Sequence, residues 1–214
     1  MEPVLQQIHD NIVAGKVTVV LEKIQAALDG NIPVEKIVNE GMIAAMSEVG
    51  HLFECGEYFV PEMLVSARAM QKGMAYLKPS LAKAGLKSVG KVVIGSVKGD
   101  LHDIGKNLVS VMLEGAGFTI VDLGTDVSAE KFAEAVKAEK PDVLALSALL
   151  TTTMPNFKSV LQALENVKVR QNVKVLVGGA PVTTEYAQEI GADGFAPDAS
   201  RAVAVAKALV GIGG

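Results

Sequence analysis

The sequence has no tryptophan, one cysteine, and only six phenylalanines and three tyrosines. A lone cysteine, Cys55, excludes an internal disulfide and a cysteine-rich zinc module, and fits a reducing, cytoplasmic compartment. Twenty basic residues against 24 acidic ones leave a formal net charge of -4 without a basic cluster. That balance lacks the electrostatic footprint of a nucleic-acid binder, and the scarcity of aromatics removes the stacking platforms that single strands need. Long apolar runs are also missing. The opening "MEPVLQQIHDNIVAGK" has an acid at its second position and reads as neither a signal peptide nor a membrane span. No nucleic-acid or membrane partner is expected.

What is present is a chain of 214 residues, half of them hydrophobic, enough for two modest domains with a core each. Over the first 80 positions apolar residues recur with helical spacing: Leu5, Ile8 and Ile12; Val17, Val20 or Leu21, Ile24 and Leu28; Val34, Val38, Met42, Ala45 and Val49; Met63, Ala67, Met70, Met74 and Leu77. Short connections containing Pro33 and Pro61 separate them, so the spacing predicts an antiparallel four-helix bundle. From Lys91 the pattern changes to short β-branched runs, "KVVIGSV", "FTIVDL", "DVLALSAL" and "VKVLVGG", with a weaker "DGFA" last. Helical segments alternate with them, starting near Ile104, Ser128, Met154, Thr183 and Ala199. Such alternation predicts a doubly wound, five-stranded parallel sheet of the Rossmann or flavodoxin-like type. The fold class is therefore α plus α/β: a helical bundle over residues 1–78, a Gly/Pro-bearing linker over 79–90, and a sheet domain over 91–214.

In such sheets ligands bind beyond the carboxyl ends of the strands, at the point where strand order reverses. The loop after the first strand is "KGDLHDIG", which puts Asp100 and His102 there. Residues two apart in an extended loop project to one side, so Asp100 is placed to hold one ring nitrogen of His102 and leave the other free and oriented. Metal ligation and proton transfer both remain open. From this loop alone the simpler reading is a helix cap at Asp100 beside an ordinary surface imidazole. No G-x-G-x-x-G or Walker loop follows the first strand, and the only other histidines, His9 and His51, give poor support for a three-ligand zinc site. A metal at His102 would therefore arrive inside a cofactor. His51 and Cys55 are read as structural, with no third ligand.

"DLHDIG" matches the D-x-H-x-x-G signature of cobalamin-binding domains, and "SAL" at 147–149 and "GG" at 178–179 follow at suitable distances. The stretch "EVGHLFECGEYFVPEMLVSARAMQKGMAYLKP" resembles the helical cap of the methyl-transferring branch, the corrinoid methyl carriers that serve methanol, methylamine and methionine-synthase systems. The resemblance covers nearly the whole chain. It implies cobalamin bound base-off, its benzimidazole in a slot beside the sheet and His102 as the lower axial ligand to cobalt. Asp100 would relay charge and proton changes, with Thr153 where the family usually has serine. Asp103, Ile104 and Gly105 of the loop, Ser147, Leu149 and Thr151, and Gly178 and Gly179 would line the cofactor, the glycines by leaving room for its tail. Phe53 and Val60 would shield the upper face of the corrin, and the linker would let the cap move aside.

The implied function is a shuttle rather than an enzyme. The methyl group would ride on cobalt, between the cob(I)alamin and methylcob(III)alamin states, from a substrate-specific methyltransferase to a methylcorrinoid:acceptor methyltransferase using a folate or a thiol. A reductive activase would be a further partner. Two rivals share the loop. A subunit of an adenosylcobalamin mutase sits beside a barrel instead of a helical cap, and a cobalamin sensor carries a DNA-binding helix pair for which 214 residues leave no room.

Overall fold

The structure, a computed structural model, describes residues 2–84 and 88–212. It divides into two compact units between Ser88 and Val89, with Glu114–Gly117 grouped with the first.

In the first unit, helices α1 (Pro3–Val13) and α2 (Val17–Asp29) bury Leu5, Ile8, Ile12, Val20, Ile24 and Ala27. The third expected helix is one helical stretch with an insertion: a short turn α3 (Val34–Lys36), a π-helical segment Ile37–Ile43, then α4 (Ala44–Glu54). A π turn is wider than an α turn, and here the neighbours Ile37 and Val38, and again Gly41 and Met42, are all buried. That burial also fits a 3.6-residue period, so the apolar pattern alone does not separate a π turn from an α turn. Gly41 lies where a Cβ would come within 3.3 Å of the Ile8 side chain, so its small size lets the π segment approach α1. Helix α5 (Val60–Ala84) buries Met63, Ala67, Met70 and Leu77. The carbonyl of Val13 at the end of α1 accepts hydrogen bonds from Tyr58 Oη (3.1 Å) and Ser66 Oγ (2.7 Å), which fastens the α4–α5 turn and the start of α5 to α1.

Helix α5 corrects part of the expected linker. Pro79 lies inside it and the helix runs on to Ala84. An interior proline removes its own N–H from the ladder and its ring crowds the carbonyl four residues back, yet the helix continues, and the Leu, Ala and Lys that follow are good helix formers. Linker residues 85–87, including Gly85, lie outside the described residues. Among the described residues no helix is long and apolar enough to cross a membrane.

The second unit alternates as the runs predicted: β1 (Lys91–Ser96), α6 (Ile104–Gly115), β2 (Thr119–Asp122), α7 (Ala129–Glu139), β3 (Val143–Ser147), α8 (Asn156–Asn166), β4 (Lys174–Gly178), α9 (Thr184–Ile190), β5 (Gly194–Ala196) and α10 (Ala199–Leu209). All strand pairs are parallel and the order is β2-β1-β3-β4-β5. Ser128, Thr183 and Asp198 cap α7, α9 and α10 with side-chain oxygens. Strand residues Val93, Leu144, Leu146, Val175 and Val177 form one core with Phe132 and Val136 of α7, Phe157, Val160, Leu161 and Leu164 of α8, and Ala187 of α9.

Register aligns the strand ends in a row, Ser96 beside Ser147 beside Gly178 beside Ala196. Beyond that row Gly179 has φ +129, and a Cβ there would lie 1.9 Å from the carbonyl oxygen of Ala148. Backbone cannot yield as a flexible side chain does. Gly179→Ala is therefore expected to lower stability by about 2–4 kcal/mol, read as a lower denaturant midpoint with an unchanged slope.

Candidate functional site

Chain order takes the connection from β1 out to β2 on one side and then across to β3 on the other, so strand order reverses between β1 and β3. The loops that leave these two strands flank the crevice where such sheets bind ligands. They meet at one carboxylate. Asp100 is fully buried, and its Oδ1 accepts hydrogen bonds from the backbone N–H of His102 (3.0 Å) and from His102 Nδ1 (2.8 Å). Its Oδ2 accepts from the backbone N–H of Leu149 (2.7 Å) and from Thr153 Oγ1 (2.7 Å).

Burial by itself pushes the Asp100 carboxyl up, but the donors Thr153, Leu149 and the His102 backbone and ring outweigh it and hold the group well below the usual carboxylate range. An ionised carboxylate only accepts, so Nδ1 of His102 is the donor in this bond and Nε2 is the ring nitrogen that Asp100 does not engage. The His102 side chain is half exposed. With all four donors spent on the two loops, Asp100 is not the cap of α6, and the plain-cap reading fails for it. Thr153 Oγ1 also lies 2.8 Å from the Leu150 carbonyl, but that carbonyl already receives the backbone N–H groups of Thr153 and Met154. Its single proton goes to the charged acceptor. The extra methyl of threonine lies beside Gly99, where a Cβ would be 3.8 Å away, and does not prevent the bond.

Other expected residues fall around this point. Asp103 is exposed and bonds Asn107 through both its backbone carbonyl and its side chain at the start of α6. Leu101 and Ile104 flank His102 with side chains 73% and 80% exposed, and Leu149 and Leu150 are exposed as well. Water is a poor neighbour for so much apolar surface around one imidazole. Gly105 has nothing within 4 Å of a Cβ position; the chain itself gives no reason for glycine there, whereas a bound group lying over the loop would. Ser147, at the end of β3, has no side-chain hydrogen bond among the described residues, and Thr151 is exposed. Gly178 and Gly179 have an internal explanation beside the one expected: carbonyls of Ala196 and Ala148 crowd their Cβ positions. These features suit a flat, largely apolar group that offers one coordination position to Nε2.

In the first unit, Phe53 is half-buried at the end of α4 and Val60 is exposed at the start of α5. Phe59, Leu64 and Val65, which the pattern did not single out, are more exposed than Val60. Glu62 accepts from the Phe59 N–H at 3.0 Å, closing the first turn of α5. Cys55 Sγ lies 3.7 and 3.8 Å from the two ring nitrogens of His51. Among the described residues no group of three His, Cys, Asp or Glu side chains is placed to hold a metal.

Three supports of the loop also escaped sequence reasoning. Ser96 Oγ donates to the His102 carbonyl (2.7 Å), Asp126 accepts from the Gly99 N–H (2.7 Å), and Asn156 Nδ2 donates to the Lys98 carbonyl (2.9 Å). Asp126 and Asn156 lie 27 and 58 positions from their partners, and no local pattern marks them.

Models of the B12 binding domain match residues 90–205 and, for the helical unit, residues 4–78. The chain belongs to the B12-binding corrinoid proteins. It is 42% identical to dimethylamine corrinoid protein 1 of Methanosarcina acetivorans over 98% of each chain, and 40% identical to trimethylamine corrinoid protein 1 of the same organism, again over 98% of each. Among solved structures it resembles a chain of the methanol:cobalamin methyltransferase complex MtaBC from Methanosarcina barkeri. The TM-score is 0.86 at 33% identity, covering 98% of this chain and 80% of that one.

As a corrinoid protein without added ligand, it should show the Asp100 network in its stability. Because folding depresses the Asp100 carboxyl below its ordinary value of 3.8, the contribution is complete above about pH 4 and is lost as pH falls further. Thr153→Val removes one charge-assisted donor, at a cost of about 1–3 kcal/mol at pH 7. Denaturation of both proteins across pH 2–7 should show the gap narrowing towards the acid end, while Thr153→Ser stays close to the parent.

Proposed function

We propose that this corrinoid protein is a methyl carrier: it holds cobalamin base-off with His102 Nε2 as the lower axial ligand, and passes a methyl group between two partner methyltransferases. The observation that carries this reading is the buried Asp100 carboxylate, which takes the Nδ1–H of His102 and leaves Nε2 as the ring nitrogen available to a ligand at the switch point of the sheet. Bound cobalamin supplies a cobalt centre able to take up and release a methyl group. The protein's residues do the rest.

His102 would offer Nε2 to the cobalt, with the Asp100 carboxylate holding Nδ1 as in other carboxylate–imidazole–metal arrangements. Thr153 and the Leu149 amide share that charge, so the ring is held in one orientation without a bond to water at Nδ1. Leu101, Ile104, Leu149 and Leu150 present apolar surface that keeps water from the lower face. Gly105 and Ser147 suit the nucleotide tail, the first by its small size and the second by its free hydroxyl. Phe53 and Val60, with the more exposed Phe59 nearby in sequence, are suited to the upper face. None of these residues is placed to attack a substrate, which fits a carrier that depends on partner enzymes.

One partner would be a substrate-specific methyltransferase, another a methylcorrinoid:acceptor methyltransferase using a folate or a thiol, and a reductive activase would restore the oxidised protein, all in the cytoplasm. The chain is about equally similar to a dimethylamine and a trimethylamine corrinoid protein, which supports placing donor choice in the partner enzyme. The full-length match to these relatives, cap included, favours this reading over a mutase subunit or a sensor.

Incubation of the protein with hydroxocobalamin under reducing conditions, followed by desalting, is expected to leave close to one corrin per chain. His102→Ala should retain corrin but shift its visible spectrum to that of a form lacking the axial nitrogen. A protein with a native circular dichroism spectrum that retains no corrin would sink the proposal.

A further inference from the structure

Both peptide groups of His102 are tied to fully buried side chains, which is unusual for a residue whose own ring is half exposed. Its N–H donates to Asp100 Oδ1 at 3.0 Å, and its carbonyl accepts from Ser96 Oγ at 2.7 Å. Ser96 is fully buried as the last residue of β1. Its own N–H donates to the Gly124 carbonyl at 2.9 Å and its carbonyl accepts from the Val127 N–H at 3.0 Å. The hydroxyl therefore stands on a rigid part of the sheet.

The two ties differ in kind. Asp100 holds the His102 backbone and the His102 ring with the same oxygen, Oδ1, so whatever weakens one contact weakens the other. The Ser96 tie does not touch that oxygen. We propose that Ser96 is a positioning residue for His102: its hydroxyl fixes the backbone pivot of the imidazole, so that the ring moves by side-chain rotation alone and returns to one place. This rests on the reading of His102 as axial ligand. The physical gain is preorganisation. A ligand whose backbone is already ordered loses less freedom when it binds, and so binds more tightly.

The supporting hydrogen bonds of Asp126 and Asn156 hold Gly99 and Lys98, earlier in the same loop. They leave the two peptide groups of His102 to Asp100 and Ser96, so removal of the Ser96 hydroxyl should be felt at His102 itself.

The test compares the parent protein with Ser96→Ala, which removes the donor, and Ser96→Thr, which keeps it. Two readouts are taken. In hydroxocobalamin-loaded protein at neutral pH, the visible spectrum reports the ratio of histidine-bound to histidine-free corrin; Ser96→Ala should lower that ratio about tenfold. In protein without cofactor, hydrogen exchange at the His102 amide should quicken by a similar factor, about tenfold. Ser96→Thr should restore both. Ser96→Cys, nearly isosteric and a weak donor, should fall between, and serves in place of the alanine variant if that one does not fold.

Donor-free variants that match the parent in both readouts would overturn the inference, as would equal impairment by threonine and alanine, since packing and not the hydroxyl would then be responsible. If the parent binds corrin and responds to His102→Ala while Ser96→Ala changes nothing, only the role of Ser96 falls. If the parent binds no corrin, the carrier reading falls, and exchange at the His102 amide still decides whether Ser96 fixes the loop.

Discussion

The His102 loop is organised around the buried charge of Asp100. A carboxylate removed from water is costly unless its lone pairs are matched by donors, and Asp100 meets that condition only when the loops after β1 and β3 are both in place. Two of its four donors come from the His102 residue and two from Leu149 and Thr153. The same bonds that make the charge tolerable also set the tautomer of an imidazole at the mouth of the sheet. Structure and chemistry are thus one arrangement. A change that unsettles either loop disturbs the aim of His102.

Around that charge the chain is plain in its packing and unusual in its surface. Small residues, Ser96, Ser147, Gly178 and Ala196, line up where the strands end, so loops come close to the sheet. Large apolar side chains that would ordinarily be inside, Leu101 and Ile104 among them, stand outside on the His102 loop. These exposed apolar groups lie in the same loop as the half-exposed ring, and nothing lies within 4 Å of a Cβ position at Gly105. In the helical unit the exposed Phe59, Val60, Leu64 and Val65 are the comparable exception to a core that otherwise follows the amphipathic pattern.

Much of this was legible in the sequence. Period and β-branching located the five strands, because fully buried parallel strands need continuous apolar runs. Spacing placed Asp100 beside His102, since neighbours in one loop are close whatever the fold. Three features were not legible. The π-helical turn at Ile37–Ile43, where Gly41 lies close against Ile8 of α1, has an apolar pattern that an α turn would share. The helical run through Pro79 goes against the usual effect of an interior proline, which ends or kinks a helix. The glycines at 178 and 179 looked like room for a ligand, yet backbone carbonyls of Ala148 and Ala196 already require them to be small.

By itself, then, the sequence determined the order and type of elements, the residue types of the site and its family, because these are properties of local pattern and short motif. Only the tertiary structure decided which donors satisfy Asp100, which nitrogen of His102 is free, and that Ser96 holds the His102 carbonyl. Those partners lie up to 53 positions apart. They are brought together by the strand order β2-β1-β3-β4-β5, and hydrogen bonds are directional contacts of about 3 Å that no spacing along the chain encodes.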